Sequence, residues 1–207
     1  MKLFVDSADA TEIGACVAAA GTTGVITSGA RLQQAAQAAD RPPQELLRDI
    51  CGVANGPVGV ELAAGPSDRE AMLREARLWS GVAANVVVLA PAADAGLEIV
   101  RACAAERIRN GIGVGRSPAQ ALAAARAGAN YLSAPVGRAG GFDADDQIRK
   151  LAALLRTFEM TTEIVAIPIR SPSDVIDAAV AGAHAAAVPA AVLRELPAET
   201  MRRAGDR

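Results

Sequence analysis

The feature that most constrains this chain is an alternation repeated eight times: a short β-type run, then an alanine-rich stretch of helical character. The β-type runs are Leu3–Asp6, Gly24–Thr27, Val58–Leu62, Val86–Ala90, Ile108–Val114, Tyr131–Ser133, Ile164–Ile169 and Ala185–Val188. Helical stretches begin near Asp9, Pro43, Ser67, Ala92, Ser117, Asp143, Pro172 and Pro189; the second starts late and runs into a loop before the third strand. Val86-Val87-Val88-Leu89-Ala90 is apolar throughout, the pattern of a parallel strand buried on both faces. Eight βα units of this kind predict a closed (β/α)8 TIM barrel. Ser117-Pro118 and Ser171-Pro172 each set a capping hydroxyl before a proline at the first helical position. Gly128 and Gly182 sit where helices must stop before the next strand. The expected organisation is one barrel domain over residues 1–207, with Thr200–Arg207 as a loose charged tail.

Composition narrows the function classes. Hydrophobic residues make up 51% and aromatics only 2%, so the core must be built from Ala, Val, Leu and Ile. No apolar run approaches the roughly 18–20 residues of a membrane span. The start, Met1-Lys2-Leu3-Phe4-Val5-Asp6, has no extended apolar segment, so no signal peptide is expected and the predicted location is cytoplasmic. Net charge is −2 with both signs dispersed, which predicts neither a nucleic-acid nor a membrane partner. Cys16, Cys51 and Cys103 are far apart and odd in number, and read as buried free thiols of a reducing compartment. With a single histidine, His184, no zinc spacing exists.

Ligand sites of such barrels lie at the C-terminal ends of the strands. The residues placed there are Asp6, Ser28, Glu61, Leu89, Gly113 to Arg116, Ser133 to Arg138 and Pro168 to Arg170. Asp6 is a candidate acid or base, or else a helix cap or an arginine's partner. Glu61 ends an apolar strand, where a carboxylate serves a site or needs an ion pair. Arg138 precedes a glycine-rich turn and binds an anion or pairs with Asp143 or Asp145. Arg170 stands before a helix N-terminus, a favourable place for an anion. Arg31 and Arg116 are cations near the rim that bind an anion or, the favoured reading, are solvated surface charges. The glycines of Gly111-Ile112-Gly113-Val114-Gly115 leave one strand face bare, making room for a ligand or for a bulky neighbour such as Leu89.

At these positions the chain resembles the transaldolase family, in its small fructose-6-phosphate aldolase-like subgroup. The resemblance is carried by Lys2-Leu3-Phe4-Val5-Asp6-Ser7-Ala8, by Ser117-Pro118-Ala119-Gln120-Ala121-Leu122 with Ala127-Gly128-Ala129, and by Tyr131-Leu132-Ser133-Ala134-Pro135-Val136-Gly137-Arg138. It continues through Ile169-Arg170-Ser171-Pro172 and Ala181-Gly182-Ala183, and so covers residues 1 to about 195. The resemblance implies a class I aldol reaction, in which a lysine on the fourth strand forms a Schiff base with a ketose carbonyl. It also implies no cofactor, a sugar-phosphate ligand and a homo-oligomer. Asp6, Glu61, Arg138 and Arg170 match the family's first-strand acid, third-strand polar group and phosphate-facing cations.

The departures are more telling. The lysine position is Leu89, the family's Asn is Ser28, its fifth-strand Thr is Gly113, its sixth-strand aromatic is Pro135 and its phosphate-binding Ser is Pro168. Only two of the 21 Lys and Arg residues are lysines. Lys2 opens the first strand, at the barrel's other end. Lys150 falls off the apolar stripe Ile148, Leu151, Leu155 and Phe158 of the sixth helical stretch, and so faces solvent. Arginine stays protonated and cannot replace the amine. His184 also falls at the wrong end for a metal that polarises a carbonyl, and no metal site is expected. The expectation is a transaldolase-like protein that lacks Schiff-base chemistry. Its reduced sugar-phosphate or anion pocket would have Asp6 and Glu61 as catalytic candidates and Ser28, Ser133, Arg138 and Arg170 as binding candidates. The alternatives are a non-covalent acid–base lyase or isomerase acting on a small phosphorylated or carboxylated molecule, and a structural oligomer without a ligand.

Overall fold

Parallel strands buried on both faces need neighbours on both edges, and a closed sheet supplies them without leaving a free edge. The computed structural model describes residues 1–113, 118–139 and 142–196, with only the backbone of Arg138, Ala139 and Phe142. The chain order is β1 (Lys2–Asp6), α1 (Ala10–Ala20), β2 (Gly24–Ser28), α2 (Gly29–Ala39), α3 (Pro43–Val53), β3 (Val58–Glu61), α4 (Arg69–Ser80), β4 (Val86–Ala90) and α5 (Asp94–Ala105). There follow β5 (Asn110–Gly113), α6 (Pro118–Arg126), β6 (Tyr131–Ala134), β7 (Arg138–Ala139), β8 (Phe142–Asp143), α7 (Ala144–Thr157), β9 (Glu163–Ala166), α8 (Pro172–Ala181) and β10 (Ala185–Val188). Residues 190–196 are also helical. Strands β1 to β6, β9 and β10 close into a barrel, every pair parallel, with β1 bonded to both β2 and β10. The predicted eight-stranded barrel is therefore present. Among the described residues, no helix is long and apolar enough to cross a membrane.

The apolar runs are buried twice over, as their composition requires. One set of side chains (Phe4, Ile26, Val87, Leu89, Tyr131, Val165, Ala185 and Ala187) packs inside the barrel. The alternate set, which includes Val5, Val25, Val58, Val60, Val86 and Val88, packs outward against the helices. With so few aromatics, one contact stands out inside: Phe4 and Tyr131 meet edge to face with centroids 6.3 Å apart. The strand period of two then carries the inner phase up to Asp6, Ser28, Glu61, Gly113 and Ser133 at the C-terminal mouth.

Three expectations need correction, and one gap is filled. The stretch between β2 and the helix at Pro43, to which the sequence assigned no element, is α2, and Ser28 is its cap, accepting the backbone N–H of Arg31 at 3.2 Å. Only Gly29, Leu32 and Ala36 of that helix are buried, which is why its apolar stripe is faint. Strand β5 begins at Asn110, not Ile108, because the Asn110 amide turns back to donate to the Ile108 carbonyl at 3.1 Å. Strand β9 ends at Ala166, before Pro168, which has no N–H for the ladder. Phe158 is no part of the core stripe of α7; it is the C-cap residue and 56% exposed. Other local readings hold. Ser171 and Asp174 form a capping box on α8, and Gly128 and Gly182 adopt φ of 100° and 98°. Cys16 and Cys103 are buried free thiols, while Cys51 is only partly buried. Val114–Ser117 and the charged tail lie outside the described residues.

Candidate active site at the barrel mouth

Leu89 is the floor of the mouth. It pairs in register with Glu61 on β3 and Gly111 on β5, and is 3% exposed. Glycine flanks it on both neighbouring strands. A Cβ on Gly59 would stand 3.0 Å from the Leu89 Cδ1, and one on Gly111 would stand 2.8 Å from its Cδ2. The bare strand face therefore houses Leu89, one of the two occupants the alternating glycines allowed. Above this floor lies a cavity of about 220 Å³, bounded by Glu61, Leu62, Leu89, Pro91, Gly113 and Ser133 among others.

Asp6 and Arg31 form an ion pair across the β1–β2 side of the mouth. Arg31 is thus an exposed charge, as read from the sequence, but a paired one. The capped start of α2 carries it back over the barrel. Asp6 pairs with an arginine and does not cap a helix; Asp9 caps α1, accepting from Thr11 and Glu12 N–H groups. Glu61 carries no hydrogen bond or ion pair among the described residues, although its carboxylate reaches solvent. Enclosure by the barrel wall raises its pKa above the ordinary value, the charge of Asp6 raises it further, and Arg31 draws it down. Ser28, read as a binding residue, spends its hydroxyl as an acceptor at the cap, and Ser133 lines the cavity opposite Glu61's strand.

The far side of the mouth is built by β6, the β7–β8 hairpin and the start of α8. Arg138 pairs through its backbone with Asp143 in the hairpin, and its side chain lies outside the described residues. Asp145 accepts the Gly137 N–H at 3.0 Å. The backbone N–H of Arg170 donates to Asp174 at 2.7 Å. Its side chain is exposed, and it makes no ion pair among the described residues. Arg116 lies outside the described residues.

Both amines are placed elsewhere. Lys2 pairs with Glu163 at 2.6 Å on the N-terminal rim, and Lys150 pairs with Asp146 at 2.5 Å on the outer face of α7. His184 also sits at the N-terminal end, where its Nδ1 accepts the Ile164 N–H at 3.0 Å. Among the described residues, no group of three His, Cys, Asp or Glu side chains is arranged to hold a metal ion.

Residues 3–205 match the family model for transaldolase/fructose-6-phosphate aldolase. The chain belongs to this family. Among relatives of the transaldolase family, a probable transaldolase of Sorangium cellulosum is 35% identical over 198 residues, covering 95% of this chain and 89% of that one. A probable transaldolase of Caulobacter sp. (strain K31) is 37% identical over 198 residues, with 95% and 88% covered. One from Clostridium perfringens is 31% identical over 207 residues, with 99% and 94% covered. The fold is shared with the solved structure of "a putative fructose-1,6-biphosphate aldolase from Coccidioides immitis", with a TM-score of 0.64 at 16% identity over all of this chain and 80% of that one. Sequence reasoning put Arg31 near the rim of this transaldolase-family mouth but did not pair it with Asp6. The signal for the pair was present: Ser28 followed three residues later by a side chain long enough to return over a strand end.

Proposed function

We propose that this transaldolase-family barrel does not run Schiff-base chemistry and keeps a reduced pocket for a small sugar-phosphate or other anionic ligand. The observation that carries this reading is Leu89, an apolar side chain seated between Gly59 and Gly111 at the floor of the mouth. A Schiff base needs a neutral amine at the reacting carbonyl. The chain has two lysines, and their partners Glu163 and Asp146 lie away from the cavity. Asp6 and Glu61 are the proposed catalytic carboxylates, and Ser28, Ser133, Arg138 and Arg170 the proposed ligand contacts. As the resemblance implies, the protein would work as a homo-oligomer without a cofactor; its free thiols fit a cytoplasmic setting.

Borohydride trapping with dihydroxyacetone or fructose 6-phosphate is expected to leave no adduct; a stable adduct overturns the proposal. Leu89→Lys is the companion experiment. An adduct in that variant supports a surviving sugar-phosphate pocket, and its absence together with no phosphate binding favours a structural barrel.

A second reading is favoured by Glu61, a carboxylate at the cavity edge with a raised pKa and no ion pair among the described residues. Such a group suits non-covalent proton transfer on a phosphorylated or carboxylated molecule, as a lyase or isomerase would perform. General acid–base catalysis supplies roughly 10²–10⁴-fold, enough for an already activated substrate. Glu61→Gln should abolish any activity found by substrate screening, and unchanged turnover removes the assignment.

A further inference from the structure

We infer that Arg31 is the positioning residue of the mouth: it anchors Asp6 and leaves Glu61 as the one carboxyl group that exchanges a proton with an oxygen of the bound ligand. This rests on the acid–base reading of the site and assigns the two carboxylates different tasks.

The geometry is specific to the start of α2. Ser28 closes β2 and accepts the Arg31 N–H at 3.2 Å, so the Arg31 backbone is held at the end of the second strand. Its guanidinium then reaches the end of the first strand and pairs with Asp6, 25 residues away in sequence. The Asp6 side chain is 16% exposed, so this contact is sheltered on the carboxylate side. A guanidinium is a permanent cation with directional donors, suited to fixing one carboxylate in place. Glu61 stands one strand further round, in register with Ser28, and Arg31 does not pair with it.

Among the described residues, the charges that act on Glu61 are Asp6 from β1 and Arg31 from α2. Leu89 and Ala90 on β4, Gly113 on β5 and Ser133 on β6 bring no charge to the cavity. Asp6 and Arg31 offset each other in their pair, which leaves Glu61 as the carboxyl group free to take up and release a proton. In the proposed step, protonated Glu61 gives that proton to a carbonyl or hydroxyl oxygen of the ligand and is left as the carboxylate, which takes it back from product or solvent. Environments that separate two neighbouring carboxyl groups in this way assign the acid and the fixed anion.

The test is an NMR titration of the Glu61 side-chain carboxyl in the full-length protein, without ligand. In the wild type its midpoint lies above the ordinary glutamate value. Arg31→Met removes the cation and moves the midpoint further up. Asp6→Asn removes the like charge, leaves the cation and moves it down. Arg31→Lys keeps the charge, so its midpoint falls between those of the wild type and Arg31→Met. Arg31→Lys and Asp6→Asn decide the matter if Arg31→Met does not fold. Shifts of the same sign in the Arg31→Met and Asp6→Asn variants, or none, overturn the inference and mark Arg31 as a merely structural contact. Because no turnover is read, a failed substrate screen counts against the acid–base reading and not against this division of roles.

Discussion

Glu75 and Trp79 are joined along α4: the indole N–H donates to the Glu75 carboxylate at 2.9 Å. The same carboxylate accepts the backbone N–H groups of Ala63 at 3.0 Å and Ala64 at 2.9 Å. It therefore holds the loop that leaves the barrel directly after Glu61 and Leu62. Gly29 passes so close that a Cβ there would stand 2.5 Å from Glu75 Oε1, so the anchor also sets how near α2 can approach. Glu75→Ala strips three donors of their acceptor. Trp79 is the buried donor of the three, and since a buried unsatisfied group costs about 1–3 kcal/mol, urea unfolding should show a loss of that order. Glu75→Gln keeps an acceptor of the same shape and should lose less.

The two glycines beside Leu89 should differ in their tolerance of a methyl group. At Gly59 the clash is with side-chain ends, 2.5 Å to Ile26 Cδ1 and 3.0 Å to Leu89 Cδ1, and these can move. At Gly111 it includes the Tyr131 carbonyl at 2.7 Å, which is fixed by the sheet. Overpacking costs about 1–3 kcal/mol, so Gly59→Ala should fall at the low end of that range and Gly111→Ala at or above its top. Adding Ile26→Val, which removes the Cδ1 nearest Gly59, should recover stability in the Gly59→Ala background and none in the Gly111→Ala background, as thermodynamic cycles would show.

His184 makes the fold sensitive to mild acid. Burial lowers its pKa below the ordinary 6.5; Glu163 opposes this and Lys2 adds to it. The neutral ring is the form whose Nδ1 accepts the Ile164 N–H. As pH falls through 6.5 the unfolded chain takes up a proton before the folded one does, so stability drops until the folded imidazole titrates as well. The contribution is complete above that window. Unfolding free energies measured at about pH 7.5 and about pH 5.5 should show this slope in the wild type, and His184→Gln should flatten it.

Glu61 works in the opposite sense. Its folded pKa is raised, so the folded state binds the proton more readily than the unfolded chain, and stability falls as pH rises through the folded value. Glu61→Gln should consequently be more stable than the wild type near neutral pH. The gain should vanish below the ordinary value of 4.5, where both chains carry a neutral side chain. A carboxylate kept at a cost in stability is the usual mark of a working site, and equal stability of the two chains at neutral pH would remove that mark.

The barrel was legible because its signals are local. Val86-Val87-Val88-Leu89-Ala90 states its double burial in five letters, and Ser171-Pro172 and Gly182 punctuate α8 by backbone chemistry alone. Helix α2 was not legible, since Gln33, Gln34 and Gln37 dilute its stripe and its cap residue ends a strand. An arginine partner for Asp6 was one open alternative, but that it is Arg31 was hidden for a different reason. The pair joins two strand ends through a side chain 25 residues away, and only the closed sheet brings them together. The room made for Leu89 was half legible: the glycines of β5 pointed to it, while Gly59 on the other side gave no periodic signal.

The positions of the two lysines have a practical consequence. Lys2 and Met1 share the N-terminal rim with Glu163, and Lys150 lies on the outside of α7. Reagents that couple through primary amines will therefore attach this protein to a solid support by its base or its flank. Every immobilised molecule then presents Glu61, Leu89 and the cavity between them to the flowing solution, and a sensor chip made by ordinary amine coupling arrives already oriented for ligand screening.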